Sequence, residues 1–319
     1  MTQKCRLCGK QADLQNSHII PRFVIKWLKD TGATPFLRGA EDPDTRFQDY
    51  HEKLLCSDCE AIFSDYEREF ATSIFHPYVN EESQNFAYDE WFQRFVISVS
   101  WRLIVSKLST IDELDNFHRE AIRDAEAIWE KILLGNLPLN ADPFTHHLYF
   151  LGDLVVEEAP DDIPDKFEWY INRGIDGTSV YGKHTAIYFK FPQMVFFSCI
   201  QPPEVSGLED TEVGITGEIG PPQVMGPDWG TFVNRRAKIM TERSVSEEEQ
   251  EKILERMLDN LERLPSLILS KRFGSGGSGR WWTTILSIIL TKSVLFALLA
   301  MMSSDSFQFG LCERQRLTE

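Results

Sequence analysis

Residues 4–21 read KCRLCGKQADLQNSHIIP, and residues 54–60 read LLCSDCE. Each stretch holds one C-x-x-C pair, and two such pairs are typical of a tetrahedral zinc site with four thiolate ligands. The ion would stabilise a segment that is too small to bury much apolar surface. Four reduced thiols, or a redox pair, are the alternatives. The predicted zinc ligands are Cys5, Cys8, Cys56 and Cys59.

The composition limits the class of protein. The chain is 42% hydrophobic, which is enough for a packed core and opposes wholesale disorder. Its net charge of −16 argues against the class of proteins that coat nucleic acid by bulk electrostatics. Residues 1–30 hold six basic and two acidic residues, so any contact with a polyanion is expected there. Few cysteines, and no apolar stretch after Met1, favour the cytoplasm.

The predicted fold class is α+β. It combines a zinc-stapled N-terminal module, a mixed helix and strand body that is acidic, and a hydrophobic helix near the C-terminus. The predicted divisions are the module over 1–80, the body over 81–270, a Gly/Ser linker over 271–280, the hydrophobic helix over 281–302 and a tail over 303–319.

The body shows both helical and strand patterns. The segment from Asp89 to Val105 is apolar on nearly every face of a helix, which predicts a buried helix. Capping boxes predict two further helices, which open at Thr110 and at Ser246. Short β-rich runs bounded by turn residues predict strands, and a stretch rich in glycine and proline predicts a long loop. The strands are 147–156, 184–190 and 194–200, and the loop is 202–230.

The segment 281–302 is apolar and long enough to cross a bilayer. Trp281 and Trp282 stand where interfacial anchors occur, and basic residues before them favour a cytoplasmic N-terminal side. This predicts attachment to the inner face of a membrane. The preceding GSGGSG, residues 274–279, is also a string used in engineered linkers, so a fused peptide is the equal alternative.

The cysteine pairs, together with His18-Ile19-Ile20-Pro21 between them, resemble the HNH endonucleases of the zinc-bearing ββα-metal, or treble-clef, type. The resemblance covers residues 4–70, about a fifth of the chain. The cysteine spacing fits many zinc modules, and the H-I-I-P sequence narrows the choice.

The resemblance implies a second, catalytic metal, Mg²⁺ or Mn²⁺, beside a general base that activates water against a phosphodiester. His18 matches the base, and His51 and Glu60 match the other two positions of the motif, as base-orienting or metal-binding residues. Arg22, Lys26 and Lys29 would contact the nucleic acid backbone. The chain departs from the family in having H-H-E and in having Ser17 where a metal-binding Asp or His is usual.

Three functions are therefore expected, in decreasing order. The first is a metal-dependent endonuclease acting on DNA or RNA, with a role in bacterial defence or as a toxin suggested by analogy. The second is a catalytically inactive, zinc-stabilised binding or sensor module whose body, 81–270, binds a protein. The third makes the hydrophobic segment 281–302 the effector at a membrane.

Overall fold

A computed structural model describes residues 2–32, 34–106, 111, 113–153, 155–156, 162–180 and 182–259. These residues belong to one unit, Met1–Lys271, and the other unit is Arg272–Glu319. No helix of the described residues is long and apolar enough to span a membrane. The predicted hydrophobic helix and tail, and all of the linker, lie outside the described residues, so those predictions stand as they were made.

The N-terminal region begins with a hairpin of two short strands. A second hairpin follows, whose two strands are separated by other elements, and then a helix. Strands β1 and β2 pair as one hairpin, and β3 pairs antiparallel with β6. Between β3 and β6 the chain forms a helix and a small hairpin of β4 and β5. The elements are β1 Gln3–Lys4, β2 Gln11–Ala12, β3 Asn16–His18, α1 Arg22–Asp30, β4 Leu37–Arg38, β5 Arg46–Phe47, β6 His51–Lys53 and α2 Ser57–Phe70.

The rest of the described chain mixes helices with strands. A π-helical turn, Ala71–Phe75, leads from α2 into the next helix. The elements that follow are α3 His76–Val79, β7 Phe86–Tyr88, α4 Glu90–Ser106, α5 Asn116–Leu133, β8 Thr145–Phe150, β9 Val155–Val156, α6 Phe167–Arg173, β10 Asp176–Val180, β11 Thr185–Phe191, β12 Met194–Gln201, β13 Leu208–Glu209, β14 Gly217–Ile219, β15 Val224–Met225, α7 Pro227–Thr241 and α8 Glu247–Asp259. The predicted mixture of helix and strand is thus confirmed.

An antiparallel sheet of order β10-β11-β12-β8 forms the centre of the body. Its side chains alternate between two separate apolar clusters, because successive strand residues point to opposite faces. On β12, for example, Phe196 packs with the cluster that holds α4 and α5, and Phe197 packs with the one that holds Trp229 and Phe232 of α7. The sheet is therefore buried on both faces.

One hydrophobic cluster connects the N-terminal region, which carries the four cysteines, with the body. Phe70 of α2 stacks on Phe95 of α4, with ring centroids 4.1 Å apart. Phe63 of α2 meets Trp101 of α4 edge to face at 6.1 Å. Helix α4 is buried along nearly its whole length, as the apolar residues on nearly every one of its faces predicted. Helix α4 packs against α2 on one side and against the central sheet on the other. It therefore fixes the position of α2 relative to the sheet.

Thr110, where one capping box was predicted, lies outside the described residues, and the capping box predicted at Ser246 is formed in part. The carboxylate of Asp115 accepts a hydrogen bond from the backbone N–H of His118 and caps α5, while Glu113 lies in the preceding turn. The hydroxyl of Ser246 does cap α8, accepting from the N–H of Glu249 at 3.3 Å. The Glu249 side chain, however, turns to arginines of the β4–β5 hairpin, because charged partners bind a carboxylate more strongly than a backbone amide.

The strands β11 and β12 fall where they were predicted, but two other segments differ. The predicted strand 147–156 is β8 followed by a turn, Leu151–Asp153, and the short β9. The predicted loop 202–230 contains β13, β14 and β15 and the start of α7. Strand β14 pairs with the distant β7, and β15 with β9, and sequence periodicity carries no signal for such long-range pairs of two or three residues.

The buried His147 should make the free energy of unfolding depend on pH. Burial, and then the neighbouring His146, lower its pKa to about 3, so the unfolded chain takes up a proton as pH falls below about 6.5 and the folded chain does not. The contribution of His147 to the free energy of unfolding is therefore fully present above about pH 6.5 and is lost as the pH falls towards 3. Urea unfolding at pH 7 and pH 5.5 should show a loss of about 1 kcal/mol in the wild type that His147→Gln lacks. Equal losses in both chains would contradict this account.

Candidate functional site

Four cysteines converge at the start of the fold. Cys5 and Cys8 lie on the tight turn between β1 and β2, where Gly9 adopts a positive φ of 72° and donates to the carbonyl of Cys5. Cys56 immediately precedes α2, and Cys59 lies in its first turn. The four sulfur atoms all lie within 4.8 Å of one another. This positive-φ turn is the reversal for which a glycine is suited.

The four sulfur atoms fit one tetrahedral zinc ion. A Zn–S bond of about 2.3 Å places tetrahedral sulfurs about 3.8 Å apart, and the Cys8 and Cys56 sulfurs are 3.7 Å apart. Cys5, Cys56 and Cys59 are buried, so such an ion would be shielded from water by the protein. The set of four thiols could therefore hold a closed, structural zinc ion.

The surroundings of the thiols favour a bound cation. Burial raises the pKa of Cys5, and hydrogen bonds from the backbone amides of Cys8, Cys56 and Leu7 then bring it down to about 7. Burial and the neighbouring thiols raise the pKa of Cys59 far above its ordinary value. Four thiols this close cannot all ionise without a compensating positive charge, and a zinc ion would supply that charge.

A second polar cluster lies on the β3–β6 hairpin. His18 and His51 are directly opposite each other in the antiparallel register, so their side chains share one face. Their ring centroids are 6.0 Å apart. The carboxylate of Asp49 lies between them: Oδ1 is 2.8 Å from Nδ1 of His51, and Oδ2 is 3.4 Å from Nε2 of His18. The structure thus brings His18 and His51 together and adds Asp49, which was not predicted.

The carboxylate of Asp49 determines which nitrogen of each histidine carries the proton. The hydrogen bond with His51, and then the one with His18, lower the pKa of Asp49, so the carboxylate is the acceptor. The proton of a neutral His18 then lies on Nε2, which leaves the lone pair on Nδ1. For His51 the proton on Nδ1 leaves Nε2 as the remaining nitrogen. Each histidine therefore presents one defined nitrogen that does not contact Asp49.

Glu60 contacts a different partner from the two histidines. Ser17 is fully buried and donates its hydroxyl proton to Oε2 of Glu60 at 2.7 Å. The same hydroxyl oxygen accepts from the backbone N–H of Leu55 at 3.2 Å. Ser17 and His18 are consecutive on a strand, so they point to opposite faces of the hairpin. Glu60 is therefore hydrogen-bonded on the face opposite His18.

These contacts test whether a catalytic Mg²⁺ or Mn²⁺ would fit. Such ions prefer carboxylate oxygens that converge on one point. The Ser17 hydroxyl is committed to Glu60, and Asp49 is committed to the two histidines. Within the described ranges, the four cysteines are the only group of three or more such side chains whose ligand atoms are close enough to share an ion. The predicted Mg²⁺ or Mn²⁺ therefore has no set of converging ligands among the described residues.

The three basic residues predicted to contact nucleic acid lie on α1, which follows the sequence HIIP directly. Arg22 and Lys26 are exposed, and Lys26 pairs with Asp30 on the same helix. Lys29 donates to the side chain of Gln48 at 2.9 Å, one residue before Asp49. The Lys29 ammonium group is therefore held beside the loop that carries Asp49 and could meet an anion there.

Arg102 of α4 supports the hairpin from behind and is 1% exposed. Its Nη1 donates to the backbone carbonyl of His18 at 2.6 Å and lies 2.6 Å from Oε1 of Glu67 on α2. Its guanidinium carbon also lies 5.3 Å from the ring centre of Phe63. One buried cation therefore connects β3, α2 and α4, and it positions the backbone of His18.

The loop before Asp49 is held by α8. Glu249 accepts hydrogen bonds from Arg38 at 2.9 Å and from Arg46 at 2.7 Å. These bonds, that of Arg46 first, lower the pKa of Glu249 to about 2. Asp44 also accepts from the backbone N–H of Ser246 at 2.8 Å. The hairpin β4–β5, which ends two residues before Asp49, is thus anchored to the last described helix.

Two residues of this site, Asp49 and Arg102, have signals in the sequence that lie outside the cysteine and H-I-I-P motifs. Asp49 precedes His51 by two positions, and alternate residues of an extended strand share a face, so Asp-x-His indicates a pair. Arg102 lies within an otherwise apolar helix, where a charged residue indicates a buried ion pair. Its partner Glu67 could not have been identified without the packing of α2 on α4.

Comparisons of the chain with protein-family models, with curated proteins and with solved structures find no match.

Proposed function

We propose that residues 2–70 form a zinc-stapled nuclease module of HNH type that cleaves phosphodiester bonds of nucleic acid. The observation that carries this proposal is the arrangement of His18, Asp49 and His51 on one face of the β3–β6 hairpin. A carboxylate that orients an imidazole is the arrangement by which a histidine serves as a general base. The β3–β6 hairpin is followed by α2, with one cysteine pair before the hairpin and the other at the start of the helix. This order supports the resemblance to that family.

In this proposal His18 is the base, and its Nδ1 accepts the proton of the attacking group. His51 presents Nε2 to the phosphate or to the leaving oxygen, and Asp49 holds both rings. Arg22, Lys26 and Lys29 offer positive charge to the nucleic acid backbone along α1. The acidic remainder of the chain would limit non-specific binding to DNA or RNA. A cytoplasmic location, and attachment to a membrane through 281–302, remain part of the proposal.

The second candidate function is a non-catalytic module that binds or senses a partner. The observation that favours it is the hydrogen bond between Ser17 and Glu60, which occupies two positions at which the family binds its catalytic metal. In this case the four cysteines stabilise a platform, and the partner binds the body over 81–270.

Replacing His18 by alanine tests the first function against the second. The full chain, with its zinc content measured, is incubated with plasmid DNA and with single-stranded RNA, with Mg²⁺, with Mn²⁺ or with a chelator of free metal. Cleavage should occur in at least one condition, and His18→Ala should reduce its rate about 10²–10⁴-fold. Glu52→Ala is the matched control, because Glu52 neighbours His51 on β6 but points to the opposite face. Absence of cleavage by the folded, zinc-loaded chain in every condition would favour the binding module.

A further inference from the structure

The pair of histidines suggests which nucleic acid this module cleaves. A water molecule is a poor nucleophile unless a base and an electrophile activate it, and DNA offers no alternative nucleophile. RNA carries its own nucleophile, the 2′-hydroxyl, next to every phosphate. A site with acid–base groups but without converging metal ligands therefore suits RNA better than DNA.

We propose that His18 and His51 are the base and the acid of a metal-independent ribonuclease, an inference that rests on the proposed function. The Nδ1 of His18 takes the proton of the 2′-hydroxyl, and the 2′-oxygen forms a bond to phosphorus. The bond from phosphorus to the 5′-oxygen breaks as Nε2 of a protonated His51 gives its proton to that oxygen. The products are a 2′,3′-cyclic phosphate and a free 5′-hydroxyl, and no other reactant is consumed. Exchange of one proton with water returns each histidine to its starting form.

The geometry of the pair fits this division of roles. Each imidazole must reach one oxygen over a hydrogen bond of about 2.6–3.2 Å, so two rings with centroids 6.0 Å apart can lie on either side of one phosphorus atom. Both side chains are accessible to a substrate, with exposed fractions of 18% for His18 and 39% for His51. The direct cross-strand register keeps them on the same face.

The residues around the pair supply the remaining requirements. Asp49 contacts the nitrogen of each ring that does not transfer a proton, so it orients both rings. Lys29, held at Gln48, offers positive charge to the developing charge on the phosphate. Arg102 fixes the backbone of His18 from the buried side. None of these steps needs a ligand for Mg²⁺ or Mn²⁺.

The test compares oligonucleotides that differ only in the nucleophile. An RNA strand, the same strand with one 2′-deoxynucleotide at the cleavage position, and the DNA strand are incubated with the full chain in a chelator of free divalent metal. The zinc content of the protein is measured before and after. Cleavage of the RNA should proceed within about twofold of its rate in Mg²⁺ and should leave a 2′,3′-cyclic phosphate, which mass spectrometry identifies. The single 2′-deoxynucleotide should abolish cleavage at that position.

The roles of the two histidines can be separated with a substrate whose leaving group needs no proton. His18→Ala and His51→Ala should each slow RNA cleavage by about 10²–10⁴-fold, and Glu52→Ala should not. A substrate with sulfur in place of the 5′-oxygen needs no proton on its leaving group. It should restore the rate of His51→Ala and leave that of His18→Ala low.

Three results would overturn the inference. Cleavage that requires Mg²⁺ or Mn²⁺ and cuts DNA as readily as RNA would overturn it and retain the proposed nuclease. The sulfur substrate failing to rescue His51→Ala would remove the acid role. No cleavage of any strand, in any metal condition, would overturn the inference together with the proposed function.

Discussion

A chain carrying Cys59→Ser should lose its bound zinc and unfold residues 2–70. The free energy of zinc binding to small structural sites is about 10–16 kcal/mol, which is as large as the whole stability of a typical domain. Serine is a much weaker zinc ligand than a thiolate, and the three remaining cysteines cannot close the tetrahedral shell. Metal analysis by mass spectrometry should give one zinc per wild-type chain and well under one for the variant. Thermal unfolding should show a large drop or loss of the transition.

Cys199→Ala provides the matched control for this experiment. Cys199 is as buried as Cys59, but it lies on β12 within the second apolar cluster. Its replacement should leave one zinc per chain and only a modest decrease in stability. If Cys59→Ser keeps a full zinc equivalent, or if Cys199→Ala loses it, the four-cysteine assignment is wrong. If both chains and the wild type hold no zinc, the thiols have the other role that the sequence left open.

The sequence allowed the cysteine cluster to be predicted because its signal is local. Each C-x-x-C pair forms on one turn, and only the joining of two turns depends on the fold. The helix α4 was predictable for a similar reason, since its apolar residues lie on nearly every face, and thirteen of its residues are buried in the structure. The positions of β11 and β12 followed from short β-rich runs with turn residues on both sides.

The polar site was only partly predictable because it depends on long-range contacts. His18 and His51 stand 33 positions apart, and only the register of β3 with β6 makes them neighbours. Glu60 was predicted to join them, but its side chain contacts the hydroxyl of Ser17 instead. The strands β13, β14 and β15 were missed because two or three residues carry no measurable periodicity, and β14 and β15 pair with strands far away in sequence.

Replacing Glu67 by leucine should cost about 3–5 kcal/mol of stability, because it leaves the guanidinium of Arg102 buried without its carboxylate. Arg102→Leu should cost less, about 1–3 kcal/mol, since it leaves the carbonyl of His18 without a donor, while Glu67, 17% exposed, can still reach water. The double variant should be more stable than Glu67→Leu alone. Urea unfolding of the zinc-loaded chains measures all three differences.

Glu69→Leu is the matched control, because Glu69 lies on the same helix and pairs with Arg68 at the surface, where both side chains are more than two-fifths exposed. Surface pairs contribute about 0–1 kcal/mol, so this variant should unfold close to the wild type. A loss for Glu67→Leu no larger than that of Glu69→Leu would show that Arg102 is satisfied by carbonyl oxygens alone. The ion pair would then not hold the hairpin, and the position of His18 would depend on the packing of α2 against α4.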